Sequence, residues 1–149
     1  GYMRELVSHL ADSFNSGQRI RFEIMVEPME MDVSQAVPLG LIINEAVTNS
    51  IKYAFPNDRR GVIFISLGAT SPQHCLLEIS DNGIGMPTQL EENKPASLGI
   101  TLITGLSEDL EGDLSIENNN GTTIKITFVK RPVVKSADVV ADAFVPANL

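Results

Sequence analysis

The sequence predicts an α+β domain built as a two-layer α/β sandwich, in which a mixed, mostly antiparallel sheet is covered on one face by helices. Three observations predict it. The hydrophobic pattern runs in the order helix, strand, helix, strand pair, helix, strand pair, an order that stacks helices against one sheet. The strand-like segments alternate apolar with polar residues, which leaves each with one wet face. At 149 residues and 43% hydrophobic, the chain has enough interior for one domain that folds alone.

Residues 2 to 14 place Met3, Leu6, Val7, Leu10, Ala11 and Phe14 at spacings of three and four, the mark of an amphipathic helix, and Asn15-Ser16-Gly17 stops it. Arg19 to Glu27 alternates Ile20, Phe22, Ile24 and Val26 with charged residues, and Pro28 ends that strand. Ser34 is placed to cap the next helix, with Pro38 close to its start. That helix is expected to run to Ala54. At about 100° per residue, Leu39, Ile43, Ala46, Val47, Ser50 and Ala54 share its core side, and Glu45, Asn49 and Lys52 share the opposite side.

A turn at Pro56-Asn57-Asp58 and Gly61 leads into a strand pair, Val62 to Leu67 and Cys75 to Ile79. Thr88 to Ala96 reads as a polar loop, and Gly99 to about Leu110 as a helix. Asp113 to Glu117 and Thr122 to Val129 form a hairpin around Asn118-Asn119-Asn120-Gly121, where Gly121 supplies the positive φ of the turn. Beyond Arg131-Pro132, Ser136 can cap a short helix carrying Val139, Val140, Ala143 and Phe144; a tail or linker fits the same residues equally well.

Composition excludes several functions. A net charge of −8 leaves no basic surface for nucleic acid. No run reaches the roughly 18 apolar residues that cross a bilayer, so this piece is expected to make no membrane contact. The single cysteine, Cys75, lies in an apolar strand and reads as a buried neutral thiol in a reducing, cytoplasmic compartment.

Three polar elements interrupt the apolar pattern. Glu45, Asn49 and Lys52 stand at i, i+4 and i+7, so one helix face presents an acid, an amide and a base. An amide oxygen is a hard ligand suited to Mg²⁺, and a lysine neutralises phosphate. In Asp81-Asn82-Gly83-Ile84-Gly85-Met86-Pro87 a carboxylate at a strand end can accept from an exocyclic amine, while the glycines let backbone approach a flat ring. Ser97-Leu98-Gly99-Ile100 opens a helix whose first N–H groups suit an anion, with the polar loop before it placed as a lid. Taken singly, each has a structural reading: a solvated helix face, a tight Asx turn and a simple cap.

Together, in this order, the elements resemble the catalytic and ATP-binding domain of sensor histidine kinases, in the GHKL superfamily with its Bergerat fold. Pro38 to Pro56, containing Asn44-Glu45-Ala46-Val47-Thr48-Asn49-Ser50-Ile51-Lys52-Tyr53, resembles the N box and is most similar to the HWE-like subgroup. Asp81 to Pro87 resembles the G1 box and Ser97 to Ile103 a shortened G2 box, in which Ser97 stands where a glycine is usual. Gly121-Thr122 with Ile124, Ile126 and Phe128 resembles the closing strand. The similarity spans about residues 19 to 130.

The resemblance implies Mg-ATP as the ligand. It implies that Asn49 coordinates Mg²⁺, Asp81 binds the adenine amine, Gly83 and Gly85 shape the adenine pocket, and Thr122 supports Asp81. It further implies that Lys52 meets phosphate, Tyr53 flanks the base or ribose, Leu98 and Gly99 line the phosphate lid, and Glu45 polarises the phosphoacceptor imidazole or a water. Residues 1–16 would be the end of a dimerisation and phosphoacceptor helix, 17–131 the catalytic domain and 132–149 a tail or linker. Neither His9 nor His74 has a phosphoacceptor context, so the γ-phosphoryl group would pass to a histidine on a separate domain of the full-length protein and from there to a response regulator. The same superfamily offers two alternatives, a serine kinase of anti-sigma type or an ATP-hydrolysing ATPase, and a non-catalytic nucleotide-binding docking module.

Overall fold

Alternating burial along four of the five strands sets one face of the sheet against the helices, with strand order β1-β2-β3-β5-β4. The computed structural model describes residues 2–13, 19–57, 59–84, 98–118 and 120–133. Its elements are α1 (Tyr2–Ser13), β1 (Ile20–Val26), α2 (Val33–Asn49), β2 (Gly61–Ala69), β3 (His74–Asp81), α3 (Leu98–Asp109), β4 (Asp113–Asn118) and β5 (Thr122–Val129). The β1/β2 pair is parallel and the other three pairs are antiparallel. This is the mixed, mostly antiparallel α+β sandwich that the sequence predicts. The expected loop 88–96, Asp58 of the expected turn and the expected tail helix around 136–144 lie outside the described residues.

Parallel pairing of β1 with β2 requires a crossover, and α2 is that crossover. It carries the chain from one end of the sheet back to the other. Leu39, Ile42, Ile43, Ala46 and Val47 are its buried face, packed with Ile63, Ile65, Leu77, Ile79 and Ile126 of the sheet in one core. Met3 and Val7 of α1 are fully buried in the same core, and a Cβ on Gly40 of α2 would lie 3.1 Å from Leu6 Cδ2. Among the described residues no helix is long and apolar enough to cross a membrane.

The structure corrects the expected limits of α2 at both ends. Asp32, not Ser34, is the N-cap: its carboxylate accepts from Ser34 N at 3.1 Å and from Ser34 Oγ at 2.5 Å. A charged acceptor in front of the first orphan N–H groups outcompetes a hydroxyl two residues further in. Pro38 therefore lies past the four N–H groups that have no helical partner, and it forfeits a bond to the carbonyl four residues back. At the far end the α-helix stops at Asn49 and the chain continues as a single π-helical turn, Ser50–Ala54.

Gln35, in the first turn of α2, is completely buried. Its Nε2 donates to Val129 O at 2.8 Å and its Oε1 accepts from Arg131 N at 2.8 Å. The side-chain amide thus acts as one more rung beyond the end of β5. Arg131 completes the junction, donating from Nη2 to Asp109 O at 2.8 Å and from Nη1 to Ser34 Oγ at 3.4 Å. A cation on the last carbonyls of α3 suits the negative end of that helix.

Two outcomes follow for stability and reactivity. Gln35→Leu keeps the bulk but removes the partners of a part-buried carbonyl and a part-buried N–H, and it should lower the urea-derived unfolding free energy by about 2 kcal/mol. Cys75 is buried, and burial pushes its thiol above its ordinary value, with Lys130 pulling it down and Glu27 up by less. The thiol therefore stays protonated at neutral pH. Alkylation of the native protein at pH 8 should be at least about tenfold slower than in denaturant, and equal rates would refute the buried assignment.

Candidate functional site

One end of the sheet collects the polar residues. The β2/β3 register pairs Ile63 with Asp81, and the β3/β5 register pairs Ser80 with Thr123, so the last residue of β3 lies between the starts of β2 and β5. The π-helical turn at the end of α2 closes over it.

Asp81 is 6% exposed. Its Oδ1 accepts from Gly83 N at 3.0 Å and Thr122 N at 3.3 Å, and its Oδ2 accepts from Ser50 Oγ at 2.8 Å. A carboxylate this buried is tolerable only when its oxygens have donors. Ser50 is the first residue of the π turn, on the side of the helix that the sequence reading assigned to the core. Its hydroxyl is a site residue that sequence reasoning missed. A serine among leucine, isoleucine and alanine on a core face was the available signal.

The glycines act by close approach. A Cβ on Gly83 would lie 2.3 Å from Ala54 O, in the π turn, and the neighbouring Ile84 N donates to that same carbonyl at 3.0 Å. Gly83 does not have a positive φ, so its space is used by protein backbone and not by an unusual dihedral. Gly121 has φ 121°, and its Cβ would fall 2.0 Å from Asp81 O. Only glycine fits there, on both grounds. A Cβ on Gly99, in the first turn of α3, would lie 2.6 Å from Asn49 Nδ2 and 3.0 Å from its Oδ1. Helix α3 therefore begins directly against the Asn49 amide. Gly85 lies outside the described residues.

Asn49, Tyr53, Asp81 and Thr122 line one small cavity with Ser50 and Ala54, of about 10 Å³. That is room for about one water molecule. A flat ring enters only if the walls part, and Tyr53, 59% exposed, is the least packed of them. Asn49 Nδ2 is buried without a hydrogen-bond partner among the described residues, which leaves a polar group for an incoming acceptor. Thr122 supports Asp81 through its backbone N–H, while its hydroxyl reaches Asn118 Oδ1 at 3.2 Å across the hairpin.

Two expected members stand apart. The spacing of Glu45, Asn49 and Lys52 places them on one face only if the α-helix is continuous. From Ser50 onward the hydrogen bonds step by five residues, so the phase changes before Lys52, which is exposed and lines no part of the cavity. Glu45 is half-buried one turn before Asn49 and does not line the cavity either. Leu98 is the first residue of α3, next to Gly99.

Comparison with known proteins bears on the family and the fold. The family model described as Histidine kinase-, DNA gyrase B-, and HSP90-like ATPase matches residues 34–132. The chain is 23% identical over 123 residues to blue-light-activated histidine kinase 2 of Erythrobacter litoralis, covering 83% of this chain and 35% of that protein. It is 27% identical over 120 residues to the anti-sigma F factor of Bacillus licheniformis, covering 73% of this chain and 80% of that one. Among solved structures, the histidine kinase domain of a blue-light activated histidine kinase from Erythrobacter litoralis superposes with a TM-score of 0.73 at 21% identity, over 85% of this chain and 58% of that chain. The mycobacterial sensor histidine kinase MprB does so with a TM-score of 0.66 at 23% identity, over 88% and 96%. The chain thus spans about a third of the kinase that it matches by sequence. With the sandwich, the buried carboxylate at the end of β3 and the asparagine at the end of α2 falling inside the matched segment, the chain belongs to the histidine kinase-, DNA gyrase B- and HSP90-like ATPases.

Proposed function

We propose that this chain is the ATP-binding catalytic domain of a two-component sensor histidine kinase, which gives the γ-phosphoryl group of Mg-ATP to a histidine on a separate phosphoacceptor domain. The observation that carries the proposal is the buried Asp81 carboxylate facing Asn49 across one small cavity. Asp81 accepts from the adenine amine, with Gly83 and Gly85 shaping the pocket and Tyr53 flanking the base or ribose. Asn49 contributes an amide oxygen to Mg²⁺, an ion held mainly by water and phosphate oxygens with few protein ligands. The donor set fits that habit, since its buried amide nitrogen is free for a phosphate oxygen when the oxygen meets the metal. Leu98 and Gly99 border the phosphates and Lys52 offsets their charge. Glu45 orients the accepting imidazole. Catalysis rests on positioning and charge neutralisation.

Residues 1–16 are then the end of the phosphoacceptor helix, whose inner residues Met3 and Val7 seat in the catalytic core. Residues 17–131 are the catalytic domain and 132–149 a tail or linker. The compartment is the cytoplasm, and the response regulator is served through the phosphoacceptor domain.

A second reading is a serine kinase of anti-sigma type. It is favoured by the match to an anti-sigma F factor over 80% of that protein's length. Glu45 would then serve a hydroxyl acceptor or a water.

Calorimetric titration should give Mg-ATP binding that Asp81→Asn weakens on the order of 10- to 100-fold. Asn49→Ala should abolish the gain in affinity on adding Mg²⁺ while leaving metal-free binding nearly unchanged. Unaltered binding in Asp81→Asn would overturn the site. The acceptor is settled by labelling: with γ-labelled ATP, a histidine-bearing helix domain should take up acid-labile phosphate. Acid-stable label on a serine protein would favour the second reading.

A further inference from the structure

The peptide group joining Asn82 to Gly83 is gripped from both sides. Its N–H donates to Asp81 Oδ1 at 3.0 Å, and its carbonyl oxygen accepts from Arg59 Nη2 at 3.2 Å. The flanking parts of Asn82 are tied to β2: its Oδ1 accepts from Val62 N at 2.8 Å, and its N–H donates to Val62 O at 3.3 Å. Arg59 is itself braced, since Arg19 Nη1 donates to Arg59 O at 3.3 Å and to Phe55 O at 3.2 Å. Among the described residues neither arginine has a carboxylate within ion-pair distance. Both donate to backbone carbonyls: Arg19 to those of Phe55 and Arg59, between the π turn and β2, and Arg59 to that of Asn82, just past β3.

We propose that Arg59, braced by Arg19, is a positioning residue for the carboxylate of Asp81, an inference that rests on the adenine role proposed for that residue. The peptide before a glycine turns over at little steric cost, because Gly83 accepts φ values that other residues refuse. Turned over, the 82–83 peptide would aim its carbonyl oxygen at the Asp81 carboxylate and withdraw one of its donors. A guanidinium on the carbonyl side holds the N–H toward Asp81, and a charge-assisted bond to C=O polarises the amide so that its N–H donates more strongly. Arg59 is exposed, so its long-range field is screened. Its effect therefore lies in fixing one peptide plane.

The test is titration of Mg-ATP, adenosine and magnesium tripolyphosphate into the wild type, Arg59→Ala, Arg59→Lys and Asp81→Asn, with the Gly83 amide proton followed by NMR. Arg59→Ala should weaken ATP and adenosine by about tenfold, leave tripolyphosphate within about twofold, and move the Gly83 resonance upfield. Arg59→Lys, which retains one donor, should recover part of each change, and Arg19→Ala should reproduce the same pattern more weakly. An unmoved Gly83 resonance with wild-type ATP affinity in Arg59→Ala would overturn the positioning role. So would equal weakening of all three ligands together with a lowered melting temperature, the signature of a general structural defect. If Asp81→Asn loses ATP while Arg59→Ala keeps it, only the positioning role fails; if Asp81→Asn keeps ATP, the adenine assignment itself fails.

Discussion

A carboxylate buried at the end of a central strand is the constraint around which the rest of the site is built. Asp81 can be there only because two backbone N–H groups and a hydroxyl converge on it from three elements: the segment after β3, the start of β5 and the end of α2. Each donor fixes the element that carries it. Gly121 must be glycine because Asp81 O occupies the place of its Cβ, and the turn between β4 and β5 is drawn in as a result. Gly83 must be glycine because the Ala54 carbonyl stands against it, which draws in the π turn.

Helix α2 connects this end of the sheet to the other. Gln35 bonds the far end of β5 in its first turn, and Ser50 bonds Asp81 just past its last. Between them the buried leucine, isoleucine and valine face supplies the hydrophobic stabilisation, at roughly 25 cal/mol for each Å² removed from water. The polar contacts at the two ends add little net energy by comparison, but they set the register. A helix so pinned at both ends cannot slide along the sheet, and Asn49 is thereby held opposite Asp81. The change from α to π hydrogen bonding within the turn that follows is the adjustment that lets Ser50 and Ala54 both face the strand ends.

Family membership and local geometry meet in the matched segment, residues 34–132. A domain with a net charge of −8 that takes up a polyphosphate needs its positive partners placed and not merely present. In the function proposed above, helix N-termini, one amide and a metal arriving with its phosphates would meet that need without a basic surface. Arg19 and Arg59, which on composition alone count as surface charge, are instead engaged with carbonyl groups beside the site.

Much of this was legible in the residues themselves. The alternation in 19–27 and 122–129, the helical spacing between Ser34 and Ala54 and the Asn-Gly turn at 120–121 each follow from local periodicity or backbone preference, and they specified the layers of the sandwich. Asn49, Asp81 and Gly99 stood out because their residue types are costly to place without a purpose, and the fold brings all three together. What periodicity could not supply were decisions made by contacts distant in sequence. Asp32 displaced Ser34 as the cap through the strength of a charged acceptor. The helix left α geometry at Ser50, which removed Lys52 from the face it shares with Glu45 and Asn49 on paper. Ser50 met Asp81 across 31 positions, and Arg59 met Asn82 across 23. Such pairings are invisible to a local pattern, because a hydroxyl or a guanidinium is satisfied by whichever backbone or carboxylate the packed core delivers to it.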